Sequence, residues 1–198
     1  SILLNENFKD QITVINDDIL KFNEKNLIDE KLIVFGNLPY NISTEILCKW
    51  IVNLKNNDFW FDELILMFQK EVADRIIAKF NNSNYGRLTI LANWKLNVKK
   101  ICDIDPHCFF PKPKINSTLL YFSPKRDFFK INDAKNLEKI TRIFFNHRRK
   151  MIKKPFNQIF NGNVEILNKL KIDLNLRPQN LDLLTYYNLT REYEKLRS

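Results

Sequence analysis

Three consecutive segments limit the fold most. "KLIVFGN" (31–37) is an unbroken apolar run of strand length, "TEILCKWIVNL" (44–54) repeats apolar residues at helical spacing, and "ELILMFQ" (63–69) is again strand-like. An apolar run without polar alternation fits a strand covered on both faces of a parallel sheet. Strand, helix and strand in series make a βαβ unit, which closes almost only with right-handed crossover. The sequence therefore predicts an α/β fold with a mostly parallel sheet. The helix over 44–54 carries Ile46, Leu47, Trp50, Ile51 and Leu54 on its apolar side, with Ser43 or Thr44 as its cap.

The pattern extends both ways. "ITVIND" (12–17) reads as a short strand ending in acidic residues, and "KEVADRIIAKF" (70–80) as a helix. "LTILANWKL" (88–96) fits either a strand or a helix. "VKKICDI" and "STLLYFSP" read as strands joined by a Pro-rich connection. Beyond about Lys125 the reading becomes helical. "DAKNLEKITRIFFNHRRKMIKK" places Leu137, Ile140, Phe144 and Met151 on one face, and Pro155 should end or kink that helix. "VEILNKLKI" and "LDLLTYYNLTREYEKL" follow as helices. The division is 1–125 as an α/β domain and 126–198 as a small helical one.

Charge sharpens that division. The net charge is +9, and residues 126–198 hold 16 Lys and Arg against 8 Asp and Glu, so nearly all the excess lies there. Such asymmetry points to a polyanionic partner, most often nucleic acid. "NHRRK" (146–150) supplies Arg148, Arg149 and Lys150, and Lys153 and Lys154 follow; Arg75, Lys79 and Arg87 make a second basic edge. The spacing of Cys48, Cys102, Cys108, His107 and His147 suits neither a disulfide framework nor a metal site, and fits free, covered thiols in a reducing cytoplasm. No apolar run reaches membrane-spanning length, and "SILLNENFKD" lacks the pattern of a signal peptide. The three glycines, Gly36, Gly86 and Gly162, lie far apart, so the chain holds no glycine-rich phosphate loop.

In open α/β sheets, ligands gather beyond the C-terminal ends of the strands. There the sequence puts Asp17 and Asp18, then "NLPY" (37–40), then Gln69 and Lys70. Asn-Leu-Pro-Tyr suits an aromatic amine. The adenine N6 lone pair is delocalised into its ring, so two acceptors that draw the amino group out of plane help more than a base. The Asn37 side-chain oxygen and the Leu38 carbonyl are those acceptors, and Tyr40 stacks on the ring, worth about 1–3 kcal/mol. Rate then comes from alignment and preorganised dipoles. In "FFPKPKINS" (109–117), the prolines stiffen the chain so that Phe109 offers a second stacking face, while Lys112 and Lys114 meet phosphate. Taken singly, each motif also fits a plain turn, a connector or a solvated helix face.

Together, "VFGNLPYNIST", "LMFQKEVADRI", "YGRLT", "FFPKPKINST" and "FFNHRRK" resemble, in order and over most of the chain, the bacterial small-subunit rRNA adenine dimethyltransferases. The resemblance implies a Rossmann-like class I methyltransferase sheet followed by a small all-helical domain. It implies transfer of methyl groups from S-adenosylmethionine to N6 of two adjacent adenines in a 3′-terminal hairpin of 16S rRNA, on the immature small ribosomal subunit. It matches Asn37, Leu38 and Tyr40 to the amine-binding motif, Phe109 to the second aromatic, and Asp18 with Ile19 to the contacts with the cofactor's adenine. It also resolves 88–96 as a helix. A cytoplasmic monomer without metal is expected. The family's first strand, its glycine-rich loop and the ribose-binding acid do not precede Asn16–Asp18, so about 70–80 residues expected by resemblance are missing. The sheet is then N-terminally incomplete, with weak or no cofactor binding and exposed apolar sheet edges. Two alternatives stand beside this reading: a non-catalytic rRNA-binding assembly module, and the macrolide-resistance methyltransferases of large-subunit rRNA.

Overall fold

The structure, a computed structural model, describes residues 11–27, 29–54 and 58–197. The segment 1–10, read above for a signal peptide, lies outside the described residues. The expected βαβ unit is present: β1 (Leu32–Asn37), α1 (Ser43–Asn53) and β2 (Phe61–Gln69), with β1 and β2 parallel. Next come α2 (Lys70–Ile76), α3 (Arg87–Lys95), β3 (Leu96–Ile104) and β4 (Ser117–Pro124). The segment 88–96 is thus helical up to Lys95. The sheet order is β1-β2-β4-β3, and β4 runs antiparallel to both neighbours. Strands β1, β2 and β3 thus share one direction, as expected of a mostly parallel sheet, and β4 alone is reversed. No helix crosses over between β3 and β4; the Pro-rich connection lets the chain double back instead, and a strand that doubles back pairs antiparallel.

Three expectations change. Residues 12–17 form no strand: no ladder partner faces them among the described residues, and Ile12 and Ile15 are exposed. Strand β1 is not covered on both faces. Val34 and Gly36 face the helices, whereas Ile33 and Phe35 are 58% and 76% exposed. The N-cap position of α1 is Ile42, with no side-chain cap; the Ser43 hydroxyl instead donates to the Tyr40 carbonyl at 3.2 Å.

The helical unit comprises α4 (Ala134–Phe145), α5 (Lys153–Phe160), α6 (Val164–Leu170) and α7 (Leu183–Lys195). Asp133, Asn163 and Asp182 cap α4, α6 and α7 by accepting backbone N–H bonds. The long helix expected over 134–154 is two helices. Leu137, Ile140 and Phe144 are buried as expected, but Met151 is exposed in the turn between them. Pro155 ends nothing; it sits in the first turn of α5, where its missing N–H would have no helical acceptor.

One continuous apolar core runs from Ile46 and Leu64 through Trp94 and Phe122 to Phe144 and Tyr186. Helix α3 lies at its centre, against α1, α2, α4 and α7. Polar bonds tie the two parts as well. Trp94 Nε1 donates to the Phe129 carbonyl at 2.8 Å, Tyr187 donates to the Ile90 carbonyl at 3.2 Å, and Asn180 donates to Asn81 at 2.9 Å. The helical part is thus fixed against α1 and α3 and, through them, to the α/β part.

Candidate active site and nucleic-acid interface

Asn37 is the last residue of β1 and is exposed. Gly36 before it has no room for a side chain: a Cβ there would stand 2.6 Å from Leu66 Cδ2 and 3.2 Å from Leu38 Cδ2. That close approach keeps β1 tight against β2 and sets Leu38 at the strand end. A turn follows, with the Ile42 N–H donating to the Pro39 carbonyl at 3.1 Å. The Tyr40 hydroxyl then meets Ser117 Oγ at 2.6 Å. Ser117 is the fully buried first residue of β4 and pairs with Gln69 in the β2 ladder. The phenol is therefore anchored at its tip, and its ring orientation is defined.

The connection 105–116 closes the opposite wall. Asp105 caps a short 3-10 turn over Pro106–Cys108 by accepting from the His107 N–H at 2.8 Å. Phe109 follows in extended conformation and Phe110 precedes a cis Pro111. The result is an open cleft of about 370 Å³ lined by Asn37, Leu38, Pro39, Tyr40, Phe109 and Phe110, with Pro111 and Pro113 behind. Residues 37–40 and 109 are about seventy positions apart in the chain, and the structure brings them together. An amide and a backbone carbonyl at a strand end, flanked by two rings, can grip a flat heteroaromatic amine.

Asp18 and Ile19 are not among the residues that line this cleft. The Asp18 carboxylate is half-exposed; one oxygen accepts the Leu20 N–H at 3.0 Å and the other lies 3.7 Å from Lys21 Nζ. The Ile19 carbonyl accepts from Lys49 Nζ at 2.7 Å. Lys49 also pairs with the buried Glu24 carboxylate at 2.7 Å, which in turn accepts from Trp50 Nε1.

The basic residues divide by their partners. Arg149, Lys150, Lys153 and Lys154 are exposed and, with Met151, Asn157 and Arg177, line a groove of about 610 Å³. The "NHRRK" cations lie in the turn between α4 and α5, not on a helix face. Arg177 was missed from sequence because nothing marks it as a neighbour; the Ile152 N–H donating to the Leu176 carbonyl at 2.9 Å brings it there. Arg148 is different. Its Nη2 donates to the carbonyls of Ser83 and Tyr85, the latter at 2.7 Å, and its Nε to Gln179 at 3.3 Å. Arg87 pairs with Glu138. Lys112 Nζ sits 2.8 Å from His107 Nε2, and Lys114 is exposed. At the strand ends, hydrogen bonds from Lys100 and then Thr118 hold the Asp103 carboxyl down at about 2, so it stays anionic beside Lys70 and Lys100. Cys48 is half-buried and its thiol is pushed up to about 11 by burial, but Cys102 and Cys108 are exposed on β3 and the turn after it, contrary to the expectation of covered thiols. Among the described residues no cluster could hold a metal ion, and no helix is long and apolar enough to cross a membrane.

The sheet order, the strand-end cleft and the helical unit define a Rossmann-like methyltransferase. A dimethyladenosine transferase structure from Plasmodium falciparum superposes with a TM-score of 0.77 at 26% identity, covering 98% of this chain and 76% of that one. The 23S rRNA methyltransferase ErmE shares the fold with a TM-score of 0.64 at 16% identity, over 98% and 77% of the two chains. The chain belongs to the ribosomal RNA adenine dimethylase family, which matches residues 2–195. It is 66% identical over 197 residues to Ribosomal RNA small subunit methyltransferase A of Pelagibacter ubique (strain HTCC1062), covering all of this chain and 75% of that protein. It is 39% identical over 195 residues to the protein of the same name from Wolbachia sp. subsp. Drosophila simulans (strain wRi), covering 98% and 70%.

Proposed function

We propose that this protein transfers methyl groups from S-adenosylmethionine to N6 of two adjacent adenines in a 3′-terminal hairpin of 16S rRNA, on the immature small ribosomal subunit in the cytoplasm. One observation carries the reading: Asn37, Leu38, Tyr40 and Phe109 line one cleft at the end of β1. The Asn37 amide oxygen and the Leu38 carbonyl accept from the amino group and turn its lone pair out of the ring plane. Tyr40, anchored by Ser117, and Phe109 hold the two faces of the base. Catalysis then rests on alignment and fixed dipoles rather than on a general base.

The cofactor supplies an electrophilic methyl on its sulfonium when bound. The residues present fit its adenosine end: Asp18, half-exposed and fixed by the Leu20 N–H, accepts from the adenine amine, with Ile19 beside it and Asn37 at the reacting end. In this reading, residues 1–125 hold the base and the basic unit 126–198 holds the RNA. Arg149, Lys150 and Lys153 meet phosphate around the groove they share with Arg177, and the exposed Lys112 and Lys114, on the segment that carries Phe109, meet phosphate nearer the cleft. Arg87 and Arg148 are held instead by Glu138 and by the Ser83 and Tyr85 carbonyls, respectively. The small-subunit assignment over the large-subunit one draws on the 66% identity to a small-subunit methyltransferase.

The test is product identification. Small subunits lacking the modification are incubated with full-length protein and S-adenosylmethionine, and the 16S rRNA is digested for mass spectrometry. The expected product is N6,N6-dimethyladenosine at two neighbouring positions; methylation only of large-subunit RNA, or of neither, overturns the assignment.

A further inference from the structure

We propose that Phe110 is a second base platform, which stacks on the nucleobase next to the adenine held by Tyr40 and Phe109. This rests on the reading of the cleft given above and extends it to the neighbouring nucleotide. Phe110 is 102% exposed, the most exposed of the large apolar side chains among the described residues. Yet it lines the same cleft as Asn37, Pro39, Tyr40 and Phe109. The backbone at Phe109 is extended, with φ −120° and ψ 148°, and in extended chain successive side chains point to opposite sides. Phe109 is therefore half-covered against the cleft while Phe110 stands at its rim.

A polynucleotide gripped by one base cannot end there. Once the held base leaves the stack, its neighbour loses a stacking face, and an aromatic ring at the rim replaces it. The surroundings of Phe110 suit that role. Pro111 and Pro113 stiffen the segment, so little order is lost when a base docks. Lys112 and Lys114, two and four residues on, are exposed and put positive charge on the same segment, as a phosphodiester backbone requires. An apolar protein partner would be poorly matched by those two cations. Base–aromatic stacking is tolerant of base identity. The neighbouring base is thus held without being read.

The experiment measures binding of hairpin RNA by full-length protein, so it does not depend on methyl transfer. Four RNAs are compared: intact, with the target adenine replaced by an abasic ribose, and with each of the two flanking bases made abasic in turn. Phe110→Ala should raise Kd for the intact RNA by roughly five- to one-hundred-and-fifty-fold, the range given by loss of one stacked base. Its melting temperature should be unchanged, since the ring touches water rather than core. Phe110→Trp should restore tight binding, and Phe110→Leu, apolar but unable to stack, should bind like the alanine variant. On the RNA lacking the neighbouring base, wild type and Phe110→Ala should bind equally. A variant Kd within two-fold of wild type on intact RNA overturns the proposal, as does a defect that persists whichever flanking base is removed. If wild type binds equally well with the target adenine absent, the base-holding reading of the cleft fails and the Phe110 proposal falls with it; an intact target effect with no Phe110 effect overturns the Phe110 proposal alone.

Discussion

Arg148 and Arg149 are adjacent in "NHRRK" but should respond to substitution in opposite ways. Arg148 spends its guanidinium on the Ser83 and Tyr85 carbonyls and on Gln179, which ties the α4–α5 turn to the loop before α3. Hydrogen bonds from charged donors contribute about 1.5–3 kcal/mol each. The side chain is half-buried, so solvent screening reduces the total for Arg148→Ala to about 2 kcal/mol. For a chain of this size that lowers Tm by about 4–8 °C. Arg149 is exposed, so Arg149→Ala should leave Tm within about 1 °C. In RNA binding the order reverses. Each phosphate contact contributes about 0.7–0.9 to the slope of log K against log salt, and Arg149→Ala should flatten the slope by one such step. Thermal melts and fluorescence anisotropy between 50 and 200 mM salt, on the order of the range over which counterion release is resolved, read both. Equal Tm losses for the two variants, or an unchanged slope in Arg149→Ala, would refute this division of labour.

Lys95 offers a pH test. It is buried, donates to the Leu54 carbonyl at 2.5 Å and lies 4.1 Å over the Trp94 ring; burial lowers its ammonium from 10.5 to about 8. Between those values the unfolded chain binds the proton that the native one releases, so stability rises with pH across that window. Relative to Lys95→Met, the wild type should gain roughly 3 kcal/mol between pH 8 and 10.5 in urea melts, and a flat difference would contradict the burial argument. Gly36→Ala forces a methyl group onto Leu66 and Leu38 and should cost about 1–3 kcal/mol, with weakened RNA binding because Leu38 moves with it. Ser117→Ala frees the Tyr40 hydroxyl, costs about 1 kcal/mol in stability, and should weaken binding to intact hairpin RNA more than to RNA lacking the target adenine.

The chain's local chemistry made much of this legible. Unbroken apolar runs located β1 and β2, helical spacing located α1 and α7, and the polar strand end at Asn37 pointed to the cleft. Direction within the sheet was less legible, because an apolar run has the same appearance whether its partner runs parallel or antiparallel; β4 runs antiparallel only because the chain returns without a crossover helix. "ITVIND" has strand propensity but no ladder to join. The apolar face expected along 137–151 held for Leu137, Ile140 and Phe144 and failed at Met151, since the chain turns at Asn146 before the period reaches it. Partners at long range were invisible. Ser117 beneath Tyr40, Arg177 beside Lys153, and the carbonyls that occupy Arg148 carry no local signal.

The central claim is that Asn37 and its neighbours hold an adenine amine for methyl transfer. Its most direct test is transfer of labelled methyl groups to small subunits lacking the modification, by full-length wild type and by Asn37→Ala, with subunit affinity measured in parallel. The account predicts that the variant loses transfer while its affinity for the subunit stays within about three-fold of wild type, because Asn37 acts on the reacting amine and the phosphate contacts lie elsewhere. Wild-type turnover by Asn37→Ala would contradict it.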